Sequence, residues 1–187
     1  MKSIFLFILC LGSISLLSGQ DTTYDSLFFT GATGLRLPYR ALQPMEQNSN
    51  EKFPLVIFLH GAGERGNDNK SQLIHGSSLF SNAHNRSTYP AFVIFPQCRQ
   101  NSYWVTRDQA FYEKHKVFRL NYDGNMTEDL ATVVELIEHY IRNYPVDKKR
   151  IYIAGLSMGG MGTFEMIQRF PNKFAAAVPI CLSLIHI

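Results

Sequence analysis

The residues Gly155-Leu156-Ser157-Met158-Gly159, followed by Gly160, set a serine between glycines where one periodicity gives way to another. Before it, Arg150-Ile151-Tyr152-Ile153-Ala154 is β-branched and aromatic, as in a buried parallel strand. After it, Met161, Phe164, Ile167 and Phe170 recur at helical spacing. A serine on such a strand-to-helix turn forms a nucleophile elbow. The turn demands strained dihedrals and brings two backbones together, leaving no room for a Cβ at Gly155 or Gly159. The chemistry is attack on a carbonyl. The N–H of Met158 opens the helix without an intrahelical acceptor, and the helix dipole favours negative charge there, so it suits a tetrahedral oxyanion. Chance alone gives a GxSxG in roughly one chain in twenty of this length. The strand before it and the amphipathic helix after it make this match informative.

Acyl transfer of this kind wants a second backbone donor, from the loop after an earlier central strand. Phe53-Pro54-Leu55-Val56-Ile57-Phe58-Leu59 reads as that strand, and it breaks abruptly into His60-Gly61-Ala62-Gly63-Glu64-Arg65-Gly66. The N–H of Ala62 is the expected second donor. Glu64 and Arg65 either pair to stiffen this loop or face apart. A phosphate-binding reading fails: there is no GxxxxGK[ST], and the glycine spacing is not a GxGxxG opening a helix. No CxxC or HExxH suggests a metal, and no cofactor is expected.

The His60 to Gly66 stretch, the strand end Phe95-Pro96-Gln97-Cys98, Trp104, Asp147 with Arg150-Ile151-Tyr152, and the elbow together resemble secreted α/β-hydrolase esterases. The branch is the one often labelled predicted peptidase, related to polyhydroxybutyrate depolymerases, feruloyl and acetylxylan esterases and dienelactone hydrolases. The resemblance covers roughly residues 25 to 181. It implies an α/β-hydrolase fold, with a mostly parallel central sheet flanked by helices and an N-terminal antiparallel hairpin. It also implies ester hydrolysis through an acyl-enzyme on Ser157, by a Ser, Asp, His triad in that chain order. The substrate would be a small-molecule or polysaccharide ester, such as an acetyl or feruloyl ester. A prolyl-oligopeptidase-like serine peptidase and a non-catalytic hydrolase-fold binding protein are the alternatives.

In the family the acid and the histidine follow two later strands, whereas this chain stops at Ile187, just past the strand-like Ala175 to Ile180. The expected reading is the N-terminal portion of one domain, spanning residues 20–187, incomplete at the C-terminus and without turnover on its own. His186 follows that last strand too closely to have passed through another crossover helix. His60, His75, His84, His115 and His139 precede Ser157 and so miss the family's order. His60 is singled out because its place in the oxyanion loop lets it shape the substrate pocket. Trp104, in the loop after a central strand, is the candidate aromatic wall or a packing residue for that loop. Residues 182–187 break the family pattern and resemble translated adapter read-through, which would make them non-native; the alternative is a genuine continuation that stops mid-domain.

Lys2 precedes an apolar run from Ile4 to Leu17 that ends in Ser18-Gly19 before polar residues. This is a signal peptide over residues 1–19, too short for a stable membrane anchor, and it implies a secreted or periplasmic protein. Apolar residues make up 45% and charged residues 18% of the chain, which permits a packed core and excludes disorder. The net charge of +3 is too small and dispersed to argue for nucleic acid. Lys148-Lys149-Arg150 reads as a solvated turn before a strand. Maturation leaves Cys98 and Cys181. Their strands are expected to have two others between them, so the backbones lie roughly 14 Å apart, beyond the approximately 7 Å a disulfide allows.

Residues 26 to 43 read as a hairpin bent at Gly31 and Gly34, and 46 to 52 as a polar turn. Ser71 to His75 suggests a short helix, Ser81 to Thr88 a polar loop, Ala91 to Phe95 a strand and 99 to 124 a loop-rich stretch. Asn125 with Glu128 is the expected cap of a helix whose apolar face is Leu130, Val133, Val134, Ile137, Tyr140 and Ile141. A hairpin followed by alternating strands and helices is an α/β order.

Overall fold

A computed structural model describes residues 23–45, 51–106, 109–115 and 124–180. The expected signal peptide, the 46–50 part of the polar turn, Cys181 and residues 182–187 lie outside them.

The hairpin forms where expected. Strands β1 (Asp25–Thr30) and β2 (Arg36–Leu42) pair antiparallel, with Thr30 opposite Arg36. Gly34 takes φ +87°, a left-handed conformation that glycine adopts without strain. Its N–H donates to Gly31 C=O at 2.9 Å, and Gly31 N–H donates to Leu35 C=O, so the bend satisfies its own backbone.

Strands β3 (Phe53–Leu59), β4 (Phe92–Pro96), β5 (Val146–Leu156) and β6 (Ala176–Ile180) complete a six-stranded sheet in the order β1-β2-β4-β3-β5-β6. The last four are mutually parallel, and β2 joins them antiparallel through β4. This is the mostly parallel sheet of the α/β-hydrolase fold. β3 lies at its centre, so its carboxyl end and that of β5 adjoin. The pairing of β3 with β5 skips from Val146 to Ile151. Lys148-Lys149-Arg150, expected as a solvated turn before the strand, are exposed but belong to β5 itself; they interrupt its register with β3, and Lys149 N–H and Arg150 Nε–H donate to the Asp147 carboxylate.

Alternation along the strands builds two cores. Leu55, Ile57, Leu59, Ile94, Ile151 and Ile153 face helices α4 (Glu128–Asn143) and α5 (Met158–Arg169). On α4, Leu130, Val133, Leu136 and Ile137 are fully buried, each contributing about 1.5–3 kcal/mol by leaving water. The opposite face gathers Tyr24, Leu42, Phe58, Val93 and Phe95, with Phe80 of short helix α1 (Ser77–Ser81) packed against them and α2 (Ala83–Thr88) following in the chain.

Four further local expectations are corrected. The segment expected as a polar loop holds the last residue of α1 and all of α2, because the Asn82 side chain accepts from His84 and Asn85 N–H and starts a helix there. Ser71 to His75 shortens to a 3-10 turn at Ser71–Leu73, whose first N–H groups are taken by Asp68. The loop-rich stretch contains helix α3 (Gln109–His115). The cap of α4 is Thr127, whose Oγ1 accepts from Leu130 N–H at 3.3 Å, two residues later than Asn125.

Candidate active site

Ser157 is exposed at the junction of β5 and α5, with φ +53° and ψ −112°. A non-glycine residue in that region costs about 1–3 kcal/mol, so the surrounding packing must impose it. The packing is visible. A Cβ on Gly155 would lie 2.1 Å from Gly159 O, and one on Gly159 would lie 1.9 Å from Leu59 O. The turn is therefore wedged against the end of β3, and only glycine fits on either side of the serine. Ser157 N–H donates to Ile180 C=O at 2.9 Å, tying the elbow to the end of β6 as well.

After β3 the chain enters a 3-10 turn at Ala62–Glu64. A Cβ built on Gly61 would stand 3.8 Å from Ser157 Cβ and 3.6 Å from Leu156 O, so the loop and the elbow are in contact. Ala62 is exposed beside Ser157, and its N–H has no hydrogen-bond partner among the described residues. Met158 N–H, at the start of the twelve-residue α5, is likewise unpartnered there. Two free backbone donors thus flank an exposed hydroxyl at the positive end of a helix, an arrangement suited to a tetrahedral oxyanion.

Neither His60 nor Trp104 presents a surface to a pocket, and of the two roles open to Trp104 the structure fits the packing residue and not the aromatic wall. They are 1% and 0% exposed. Trp104 donates its Nε1–H to His60 C=O at 3.0 Å, and a Cβ on Gly162 would come within 2.7 Å of it, so the indole packs beneath α5. The His60 ring stacks edge-on to that indole and bonds inward at both nitrogens. Burial pushes its pKa below the ordinary histidine value, against the opposing pull of the Gly61 carbonyl and Glu64. Glu64 and Arg65 face apart. Glu64 turns inward, 3.5 Å from His75 Nε2 and 4.0 Å from His60 Nδ1. Arg65 reaches Ala62 C=O and Ser102 C=O and covers the Tyr103 ring.

Two polar clusters beneath the site had no local signal in the sequence. Asp129, wholly buried at the start of α4, accepts from Arg99 N–H, the Arg99 guanidinium and Ser102 Oγ, and so fastens the loop carrying Trp104. Gln97 accepts from Asn69 N–H and donates to Glu64 C=O and Asp68, holding the far end of the loop after β3 against the end of β4. The Gln97 bonds join residues 28 to 33 positions apart and the Asp129 bonds residues 27 to 30 apart, separations that no periodic pattern records.

Among the described histidines none hydrogen-bonds Ser157. His139 bonds Asn143 on α4, His75 faces Glu64, and His60 is engaged as above. Cys98 is a buried free thiol, which burial raises to a pKa far above the ordinary value. Among the described residues no His, Cys, Asp or Glu cluster is arranged to hold a metal ion, and no helix is long and apolar enough to cross a membrane. A cavity of about 650 Å³ is lined by Leu42, Phe53, Pro54, Ala91 and Arg150. Those residues mark the end of antiparallel β2 and the starts of β3, β4 and β5, so it lies at the opposite end of the sheet from Ser157.

Comparison with known proteins agrees with this fold. The chain is 28% identical over 114 residues to the bifunctional acetylxylan esterase/xylanase XynS20E of Neocallimastix patriciarum, covering 58% of this chain and 16% of that protein. It is 26% identical over 130 residues to poly(3-hydroxyalkanoate) depolymerase C of Paucimonas lemoignei, covering 68% of this chain and 27% of the other. The chain thus spans a minor part of the length of the curated relatives it matches. The solved structure of a thermostable esterase superposes with a TM-score of 0.73 at 38% identity, over 85% of this chain and 41% of that one. The family model Esterase, described as "Putative esterase", matches residues 31–183, and the chain belongs to that family.

Proposed function

We propose that this protein is a serine carboxylesterase in which Ser157 is the nucleophile and the N–H groups of Ala62 and Met158 form the oxyanion hole. The observation that carries the reading is the exposed Ser157 at φ +53°, in contact with the Gly61-Ala62 turn and heading α5. Ser157 Oγ attacks the ester carbonyl as a base takes its proton. The oxygen gains negative charge against the two N–H donors, the alcohol departs, and water releases the acid from the acyl-enzyme. The base and its carboxylate partner come from outside the described residues.

The relatives named for acetylxylan and poly(3-hydroxyalkanoate) support polymer-borne esters as substrates, with acetyl or feruloyl esters of polysaccharide foremost. A polymer must be met outside the cell, and export through the leader at residues 1–19 fits that substrate. Neither a metal nor an organic cofactor is needed for this chemistry.

Ser157→Ala in the full-length protein tests the reading. Hydrolysis of acetylated xylan and of p-nitrophenyl acetate should fall by about four orders of magnitude or more, because no other group forms the acyl intermediate. Fluorophosphonate labelling should vanish with it. Labelling or turnover retained in that variant would refute Ser157 as nucleophile.

A further inference from the structure

His60 is a buried histidine in the oxyanion loop, and its tautomer follows from its partners. Nε2 lies 2.9 Å from the backbone N of Cys98, which donates to it, so Nε2 carries the lone pair. In a neutral imidazole the single N–H is then on Nδ1, 2.6 Å from Gly61 C=O, to which it donates. Burial, which lowers the pKa of this ring, keeps it neutral.

The peptide joining Gly61 to Ala62 is trans, and a trans peptide points its C=O and N–H in opposite directions. With Gly61 C=O drawn inward to the imidazole, Ala62 N–H is aimed outward, to the exposed side where Ser157 stands. The preceding peptide is pinned as well, since Trp104 Nε1–H donates to His60 C=O at 3.0 Å. Glu64, whose carboxylate is 4.0 Å from Nδ1, is too far to take over that proton.

We infer that His60 is a positioning residue for the oxyanion hole: its Nδ1–H holds the Gly61–Ala62 peptide in the one orientation that presents Ala62 N–H to the reacting carbonyl. This rests on the esterase reading. The ring's second bond, from Cys98 N–H, ties the ends of β3 and β4 and serves the fold. The two nitrogens thus do separable work.

Separate substitutions divide them. His60→Asn places an amide N–H near the Nδ1 position and gives up the Nε2 acceptor. His60→Gln reaches the Nε2 position with its carbonyl and gives up the Nδ1 donor. In the full-length protein, His60→Asn should keep kcat for p-nitrophenyl acetate within about threefold of the parent while lowering Tm more than His60→Gln does. His60→Gln should lower kcat by at least about tenfold with KM little changed, approaching the hundredfold typical of losing one oxyanion donor. Second-order rates of fluorophosphonate labelling should follow the same order. Catalysis and stability would then rank the two variants oppositely, which a purely structural histidine cannot produce. Equal kcat in the two variants, or kcat that tracks Tm, would overturn the inference. Activity surviving in Ser157→Ala would instead overturn the esterase reading, whatever the His60 variants show.

Discussion

Removing the Asp129 carboxylate should loosen the loop beneath the active site, and the structure bounds by how much. Asp129 accepts from Arg99 N–H at 2.9 Å, from Arg99 Nη2 at 2.8 Å and from Ser102 Oγ at 2.6 Å. Breaking a fully buried ion pair costs about 3–5 kcal/mol. Here the Arg99 side chain is 44% exposed and recovers water when released, so the ion-pair share is discounted. The Arg99 N–H and the Ser102 hydroxyl are the groups left poorly satisfied, and Asp129→Ala should cost roughly 2–3 kcal/mol. In a domain of this size that is a Tm lower by about 5 to 10 °C. Asp129→Asn keeps one acceptor oxygen and should lose about half as much. Burial alone would raise the Asp129 carboxyl, but the hydrogen bonds from Arg99 and Ser102 prevail and hold it below the usual carboxylate range. Because the folded value is depressed, the stabilisation is complete above the unfolded value of about 3.9 and is lost as pH falls through the folded value. Thermal melts of parent and Asp129→Asn should therefore differ most near neutrality and converge in strong acid. A Tm for Asp129→Ala within a degree of the parent at pH 7, or a gap that widens on acidification, would refute this account.

Two further outcomes bear on the elbow and its partner loop. Gly159→Ala would place a Cβ 1.9 Å from Leu59 O, forcing α5 off β3 by more than 1 Å; kcat should fall about a hundredfold or more, as misplacements of that size do, with soluble protein still recovered. A parental kcat in that variant would show the contact to be dispensable. Ala62→Pro deletes a backbone donor and should cut kcat by roughly a hundredfold, whereas Ala62→Ser keeps the N–H and should cost far less. That comparison holds when both variants melt near the parent and react with a fluorophosphonate; equal kcat would move the donor to Gly61 or Gly63.

The elements around Ser157 were legible in the residue order because each carries its own signal. The β-branched run 150–154, the glycines that a crowded turn requires and the apolar spacing of 161, 164, 167 and 170 are all local. So are the central strand 53–59 and the buried stripe of α4, since alternation and the 3.6-residue period record which face an element buries. The hairpin bend was legible for the same reason, Gly34 marking a backbone conformation that other residues resist. Short-range polar competition was harder to read: Asn82 and Thr127 each start a helix by accepting N–H groups two or three residues on, where the sequence pointed to a loop and to Asn125. What the tertiary structure alone decided are the directions of side chains that meet across long separations. His60 turns inward because β4 brings Cys98 N–H to it from 38 residues away, and Trp104 goes under α5 because Gly162 leaves space there and His60 C=O accepts its proton. Glu64 parts from Arg65 because two histidines lie on one side and the Ser102 carbonyl and Tyr103 ring on the other. A periodic pattern specifies which face of an element leaves water, whereas a hydrogen bond between distant loops depends on where packing delivers both partners.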